Sequence, residues 1–353
     1  MTTLLSAPPT PTTSSRPRRL RRFVVIAVTG LAAVAMLLAV GLAFETVASA
    51  LDRRAFPAPG VLVEVGSHRL HLSCIGQGSP TVVLETGYAA TSSAWALVQP
   101  AVASSTRTCA YDRAGLGWSE PGPEPRDARR IATELHSLLQ SAAVAGPYVL
   151  VGHSNGGLYA RMYAGMYPSD VAGMVLVEAT PSDLLTRLPE ARADIAALPQ
   201  QASSAEWLAR VGLARLLVAP QARAALDAFP TAATDAFVAH QGTAGFWRTL
   251  GAEARSMETS MDQVHQAGGL GARPLMVLWT PEGALSPEAA AIKQQLEDEM
   301  AALSTNSVQQ VVDGASHMGF ATRPEHATIT SQAIRRVVDA VRSGQPLGLE
   351  ARP

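Results

Sequence analysis

The 353-residue sequence predicts an α/β protein. A mostly parallel sheet carries helices on both faces, a helical insertion interrupts the chain late, and an apolar helix precedes everything else. Three observations lead there. Up to residue 180, short apolar runs suited to buried strands alternate with segments of helical spacing, the pattern of strands joined by crossover helices. The stretch Tyr148–Arg161 reads as strand, tight glycine-flanked turn and helix. Residues 181–270 then turn Ala- and Arg-rich with no convincing strand, before the strand pattern returns at Pro274–Trp279.

Composition narrows the functional classes. Apolar residues make up 47% and charged residues 16%, so a large core is available; a net charge of −1 argues against nucleic acid as a partner. The basic residues are nearly all arginine, with a single lysine at 293, which reads as compositional bias rather than function. The eight histidines are scattered without metal-ligand spacing, and His68 and His71 fit a strand, so no metal and no cofactor is expected.

Taken in order, residues 1–22 are Thr-, Ser- and Pro-rich and then basic, and are expected to be disordered. Phe23–Phe44 follow, 22 residues without a charge. At about 1.5 Å per residue they reach about 33 Å, enough to cross a bilayer. Arg16, Arg18, Arg19, Arg21 and Arg22 lie on one side, against Arg53 and Arg54 offset by Asp52 on the other, which places the N-terminus in the cytoplasm and the rest outside it. The alternative is a signal peptide cleaved after Ala48-Ser49-Ala50, giving a secreted protein.

Residues 45–60 are expected to be a linker, ending in the Pro-rich run to Gly60. Val61–Val65 and His68–Cys74 form a hairpin about Gly66-Ser67, and Thr81–Glu85 a buried strand. A helix about Trp95–Val102 and a strand at Thr106–Tyr111 follow. Asp112–Ser119 is a glycine-rich turn, expected to be braced by an Asp112–Arg113 pair. Residues 126–141 have helical spacing through Ile131, Leu135, Leu138 and Leu139. Val171–Val177 is a further buried strand. Helical runs at 190–198, 204–218, 220–228 and 245–266 make up the insertion, placed to act as a lid. A helix at 286–303, a strand at 307–312, a loop holding His317, a helix near 325–342 and a tail over 343–353 complete the chain.

The turn Gly152-His153-Ser154-Asn155-Gly156 carries the chemistry. Glycines at 152 and 156 let strand and helix approach without a Cβ clash. The hydroxyl of Ser154 is then exposed above the sheet, over a helix N-terminus whose unpaired amides favour negative charge.

Thr-Val-Val-Leu-Glu-Thr-Gly at 81–87, Tyr-Asp-Arg-Ala-Gly-Leu-Gly-Trp-Ser at 111–119, Val-Gly-His-Ser-Asn-Gly-Gly at 151–157 and Gly-Ala-Ser-His at 314–317 resemble the α/β-hydrolase fold family, in particular its cap-bearing serine hydrolases. The resemblance covers about residues 60–342. It implies a sheet of about eight strands, with the active site above their carboxyl ends and a cap over 181–270. The family order of nucleophile, acid and histidine implies Ser154 as nucleophile and His317 as base. It implies Glu178, at the end of the strand after the elbow helix, as the acid; Glu282, after the strand that follows the cap, is the alternative. Asp313 is too close to His317 in the chain to orient its ring. The oxyanion hole would use the amides of Asn155 and Tyr88, with Thr86 standing where the family often has His. His153 is expected to pack beside the elbow. In the family's strand order Cys74 and Cys109 fall on neighbouring strands, as a disulfide or as two buried thiols.

The resemblance implies a serine hydrolase cleaving a small-molecule ester; the apolar segment 23–44 adds a membrane anchor with the catalytic domain outside the cytoplasm, and the apolar, Ala-rich cap suggests a hydrophobic substrate. Amide or peptide cleavage, perhydrolase chemistry, and a non-catalytic binding protein on the same scaffold are the alternatives. Serine at 154, where an aspartate would stand for dehalogenase or epoxide chemistry, speaks against both of those.

Overall fold

The computed structural model describes Ala7 and residues 16–283 and 286–348. The rest of the N-terminal segment expected to be disordered and the end of the expected tail lie outside the described residues. Helix α1 spans Arg16–Ala55. It therefore takes in the basic residues from Arg16 onward and most of the expected linker. Pro17 sits in the first turn, where proline costs no hydrogen bond, and no proline recurs until Pro57, so nothing stops the helix between.

Eight strands form one sheet: β1 (Val61–Val65), β2 (His68–Ile75), β3 (Thr81–Glu85), β4 (Thr108–Tyr111), β5 (Tyr148–His153), β6 (Val171–Val177), β7 (Leu275–Trp279) and β8 (Ser307–Val311). Their spatial order is β1-β2-β4-β3-β5-β6-β7-β8. The β1–β2 and β2–β4 pairs are antiparallel and every later pair is parallel. The central strands are apolar on both faces because both faces are covered. From β5, Tyr148 and Leu150 enter one core cluster while Val149 and Val151 enter the other.

The first of those clusters packs under α3 (Ala128–Ser141) and α4 (Asn155–Met166). The second packs under α2 (Val98–Ala103) and the C-terminal helix, Pro324–Ser343. Helix α3 buries Ile131, Leu135, Leu138 and Leu139, the residues its spacing singled out, and Asp127 caps it by accepting from the Arg130 amide at 2.9 Å.

Between β6 and β7 the chain is helical: α5 (Leu184–Arg187), α6 (Pro189–Arg210), α7 (Leu213–Leu217), α8 (Ala219–Ala225), α9 (Thr231–Gln241), α10 (Ala244–Arg255) and α11 (Met257–His265). The insertion differs from the sequence expectation at several points: α5 lies where no helical run was read, and the run 245–266 divides at Ser256 into α10 and α11. Pro199 does not divide α6; the break falls at Gly212, whose φ of 74° is open to glycine and strained for other residues. Helix α9 lies where no helical run was read, since its Thr- and Ala-rich residues give little apolar periodicity. Helices α12 (Pro287–Ala301), α13 (Gly319–Thr322) and α14 (Pro324–Ser343) complete the fold. Ser286 caps α12 and Pro287 opens it.

Cys74 and Cys109 face each other in the antiparallel β2–β4 register and form a disulfide, with Cα atoms 4.0 Å apart and a sequence separation of 35. Of the two states open from sequence the structure has the disulfide, which the strand pairing makes possible by setting the two residues opposite each other. Closing a loop of that length restricts the unfolded chain by about 2–4 kcal/mol. The paired Cys74→Ser, Cys109→Ser protein should therefore unfold at lower urea concentration by that free energy, and dithiothreitol should bring the parent protein to the same midpoint.

Candidate active site

The site assembles where β5 and β6 end. Ser154 is the first residue after β5 and Glu178 the first after β6, and the two strands pair in register up to His153 and Val177. Both residues have left-handed backbone, with φ of 54° and 43°. For non-glycine residues this costs on the order of 1–3 kcal/mol each, and it persists because the surroundings impose it. The Ser154 amide donates to the Val177 carbonyl at 3.1 Å, and the Thr180 amide donates to the Ser154 carbonyl at 3.0 Å.

The elbow leaves no room for side chains. A Cβ on Gly152 would stand 2.6 Å from the Gly157 amide, and one on Gly156 would stand 2.5 Å from the Glu85 carbonyl oxygen. A Cβ on Gly87 would stand 2.8 Å from the Ser154 Cβ, so the loop after β3 lies directly against the serine. Tyr88 follows it and donates through its hydroxyl to the Leu250 carbonyl of α10 at 3.2 Å. Asn155, the residue directly after the serine, begins α4. Its side chain is buried between Met257 and Thr180, whose hydroxyl donates to Asn155 Oδ1 at 2.7 Å.

His317 lies in the loop between β8 and α13, with its side chain half-exposed. Its Nδ1 is 3.9 Å from Glu178 Oε1, an ion-pair distance rather than a formed hydrogen bond. Glu178 is held by two formed bonds instead, from the Thr280 amide at 2.9 Å and from Lys293 Nζ at 2.6 Å. Burial pushes the Glu178 pKa up, but the His317 side chain, Lys293 and the Thr280 amide outweigh it and hold the group below its ordinary value. Glu282 is not brought into this cluster by its carboxylate. Its side chain is exposed, and only its backbone carbonyl reaches Lys293, at 3.4 Å. Asp313 is likewise exposed.

Sequence reasoning missed Lys293. Its being the only lysine in the chain was a signal, but composition gave it no location; α12 brings it to Glu178. Behind it, Glu297 is 2% exposed, and burial together with the Glu178 charge pushes its pKa up to about 9. That carboxyl is neutral at pH 7, leaving Lys293 as the cation facing an ionised Glu178.

His153 does more than pack beside the elbow. It is buried, and its Nε2–H donates to the His317 backbone carbonyl at 2.8 Å, which ties the loop of the candidate base to the strand of the candidate nucleophile. Burial, with the nearby His317 ring, lowers the His153 pKa to about 4.

The Asp–Arg pair expected in the loop after β4 is not formed. Asp112 takes His71 Nδ1 at 2.8 Å and the Ser92 and Trp118 amides. Arg113 points the other way and is fully buried. It donates to Glu85 at 2.8 Å, to the Thr86 and Gly87 carbonyls at 2.7 and 2.9 Å, and to both oxygens of Glu253 on α10 at 2.8 and 3.0 Å. One guanidinium thus joins the sheet, the loop against Ser154 and the cap. Burial raises the Glu85 pKa to about 7, Arg113 opposing it. The reason a residue pair in the sequence misleads here is geometric: adjacent side chains leaving a strand point to opposite sides.

Among the described residues no cluster of three or more His, Cys, Asp or Glu side chains is placed to hold a metal ion. Two cavities of about 370 and 340 Å³ flank Phe56, Pro57 and Trp118, and neither is lined by Ser154, Glu178 or His317. The first lies at the junction of α1 with the domain and the second under the segment that follows α1, both away from the serine.

A sheet of this order with a serine elbow at its fifth strand defines a hydrolase fold, and the comparisons with known proteins agree. The chain belongs to the alpha/beta hydrolase family, whose model matches residues 82–330. It is similar to an uncharacterized protein of Schizosaccharomyces pombe, 33% identical over 155 residues that take in 35% of this chain and 29% of the relative, so less than a third of that relative's length is matched. In fold it is similar to a putative lipase from Acinetobacter baumannii, with a TM-score of 0.61 and 16% identity over 85% of this chain and 97% of the other. It is also similar to the Cif epoxide hydrolase from Acinetobacter nosocomialis, with a TM-score of 0.65 and 14% identity over 83% of this chain and 96% of the other. Identities this low show the fold alone.

Two predictions follow from the buried polar groups. His153 must be neutral in the folded protein but takes a proton near pH 6.5 when unfolded. Its contribution is therefore complete above pH 6.5 and is lost as pH falls toward 4, by up to about 3 kcal/mol. Urea midpoints measured across that range should drop for the parent protein and fall less steeply for His153→Gln. Removing the guanidinium in Arg113→Met leaves Glu85 and Glu253 facing each other in the core, which should cost about 3–5 kcal/mol in urea denaturation.

Proposed function

We propose that this protein is a serine hydrolase that cleaves carboxylic esters through an acyl-enzyme. The observation that carries the reading is the gathering of Ser154, Glu178 and His317 at the carboxyl ends of β5, β6 and β8 around one strained elbow. In this reading Ser154 Oγ attacks the ester carbonyl carbon while His317 Nε2 takes the hydroxyl proton. Glu178, on the Nδ1 side, fixes the tautomer and stabilises the imidazolium. The oxyanion forms at the amides of Asn155 and Tyr88, where the N-terminus of α4 adds positive potential. Collapse expels the alcohol with the proton from His317, and water repeats the sequence to release the acid.

Lys293 and His317 both approach Glu178 Oε1, at 2.6 and 3.9 Å. Closing the longer distance on substrate binding completes the relay, as catalytic hydrogen bonds often tighten only in the loaded site. The same arrangement supports the second reading, a binding protein on a hydrolase scaffold, if that distance never closes.

The domain is exported and held at the membrane by α1. The apolar stretch within Leu20–Ala55 has a mean hydropathy of 2.8 and none of it is buried by the domain. Five arginines precede it, and the Cys74–Cys109 disulfide suits an oxidising compartment.

A fluorophosphonate probe should label the parent protein, and Ser154→Ala should abolish the label; folded parent protein that takes no label favours the binding reading. On a soluble short-chain ester, Glu178→Gln should lower kcat by about 10²–10⁴-fold, the range of losses seen when a triad acid is neutralised. Glu282→Gln should change it little, and the reverse order would move the acid to Glu282.

A further inference from the structure

We propose that the cap rests on the bilayer itself, with α7 and the end of α6 seated at the lipid–water boundary beside the point where α1 leaves the membrane. The proposal rests on the reading of α1 as a spanning helix.

The contacts along α1 fix the depth. A Cβ on Gly41 would stand 2.7 Å from the Val211 carbonyl oxygen, and one on Gly212 would stand 2.5 Å from the Phe44 ring. The end of α6 and the start of α7 are therefore packed on the last turn of the uncharged stretch Phe23–Phe44. That stretch covers about 33 Å against a hydrocarbon thickness of about 30 Å, so its last turn lies at the boundary. The contacts change character at the same level. Beyond Phe44, Arg215 of α7 donates to Glu45 at 2.6 Å, to Ser49 at 3.1 Å and to Asp52. Apolar contacts on the membrane side give way to ionic ones on the water side.

What α7 and α6 expose there is apolar. Trp207 is 68% exposed, Leu216 65% and Leu217 54%, and Leu213 is partly exposed as well. In water such a cluster is costly. At a bilayer surface it is the composition of an interfacial helix, and tryptophan is the side chain that suits the headgroup level. Arg210 lies over the Trp207 ring, its guanidinium carbon 5.2 Å from the centroid and so within cation–π reach, keeping a charge beside the indole. A short α7 following directly on Gly212 cannot move far from Phe44, so these side chains reach lipid whenever α1 spans. The Arg215 pairs then hold the catalytic domain at one height rather than letting it swing on a tether.

The test uses the full-length protein in phosphatidylcholine vesicles. Both native cysteines are in the disulfide, so an added cysteine can carry a nitroxide alone. Labels are placed by Val34→Cys in α1, Leu216→Cys in α7 and Asp339→Cys on α14, and relaxation by oxygen and by a water-soluble nickel chelate is read at each. The proposal expects residue 34 to be reached by oxygen only, residue 339 by the chelate, and residue 216 to lose chelate relaxation while keeping that of oxygen. If residue 34 reads as bilayer but residue 216 matches residue 339, the seating of the cap is wrong and the anchor stands. If residue 34 is open to the chelate, the anchor fails and the proposal with it. Shielding of residue 216 from both reagents would mean a second copy or another protein covers α7, which also overturns it. Leu217→Cys and Trp207→Cys report the same surface should the label at 216 disturb folding.

Discussion

The structure depends on a single steric constraint, the close approach of three backbone segments at Ser154. The strand, the helix that follows it and the loop after β3 meet where Gly87, Gly152 and Gly156 each have another residue's atoms inside the space a Cβ would occupy. Only such crowding holds Ser154 at a positive φ and brings the loop of Gly87 against its Cβ. The consequence is chemical as well as geometric, because the same crowding puts a helix N-terminus and a backbone loop on either side of one hydroxyl.

Buried charge organises what surrounds that point. Arg113 satisfies its donors with two carboxylates and two backbone carbonyls, so the loop beside Ser154, the end of β3 at Glu85 and the cap helix at Glu253 share one cation. Glu178 is arranged on the same logic, with Lys293 compensating its burial while Glu297 stays protonated behind it. Such pairs contribute little net stability, since desolvation offsets attraction, but they make alternative placements of the loops costly. In this protein they connect the cap to the site through polar contacts in an otherwise apolar interior.

At the other end of the molecule the apolar helix is not a detached leader. Its last turns pack on α6 and α7 and pair with Arg215, so the segment that would span a membrane continues into the domain as part of its packing. Polar pairs with Glu45 and Asp52 give that joint a fixed geometry, which an unstructured linker of the same length would lack.

The sequence by itself determined most of the order of strands and helices, because short apolar runs bounded by turn residues suit buried strands while 3.6-residue spacing suits helices; α9, with little apolar periodicity, escaped that signal. It also determined the elbow, since G-x-S-x-G between a strand and a helix leaves few conformations. Residues that act at long range were another matter. Asp112 and Arg113 are neighbours in sequence yet serve different partners, His71 and Glu253, 41 and 140 positions away. Lys293 reaches Glu178 across 115 positions, and it is the Glu178 carboxylate, not that of Glu282, that the fold carries to 3.9 Å from His317. That Cys74 and Cys109 lie opposite each other, close enough to bridge, followed from strand register. Periodicity is a local property and is written in the chain; which distant side chains share one buried volume follows only from the packing of elements, and that is set by the whole fold.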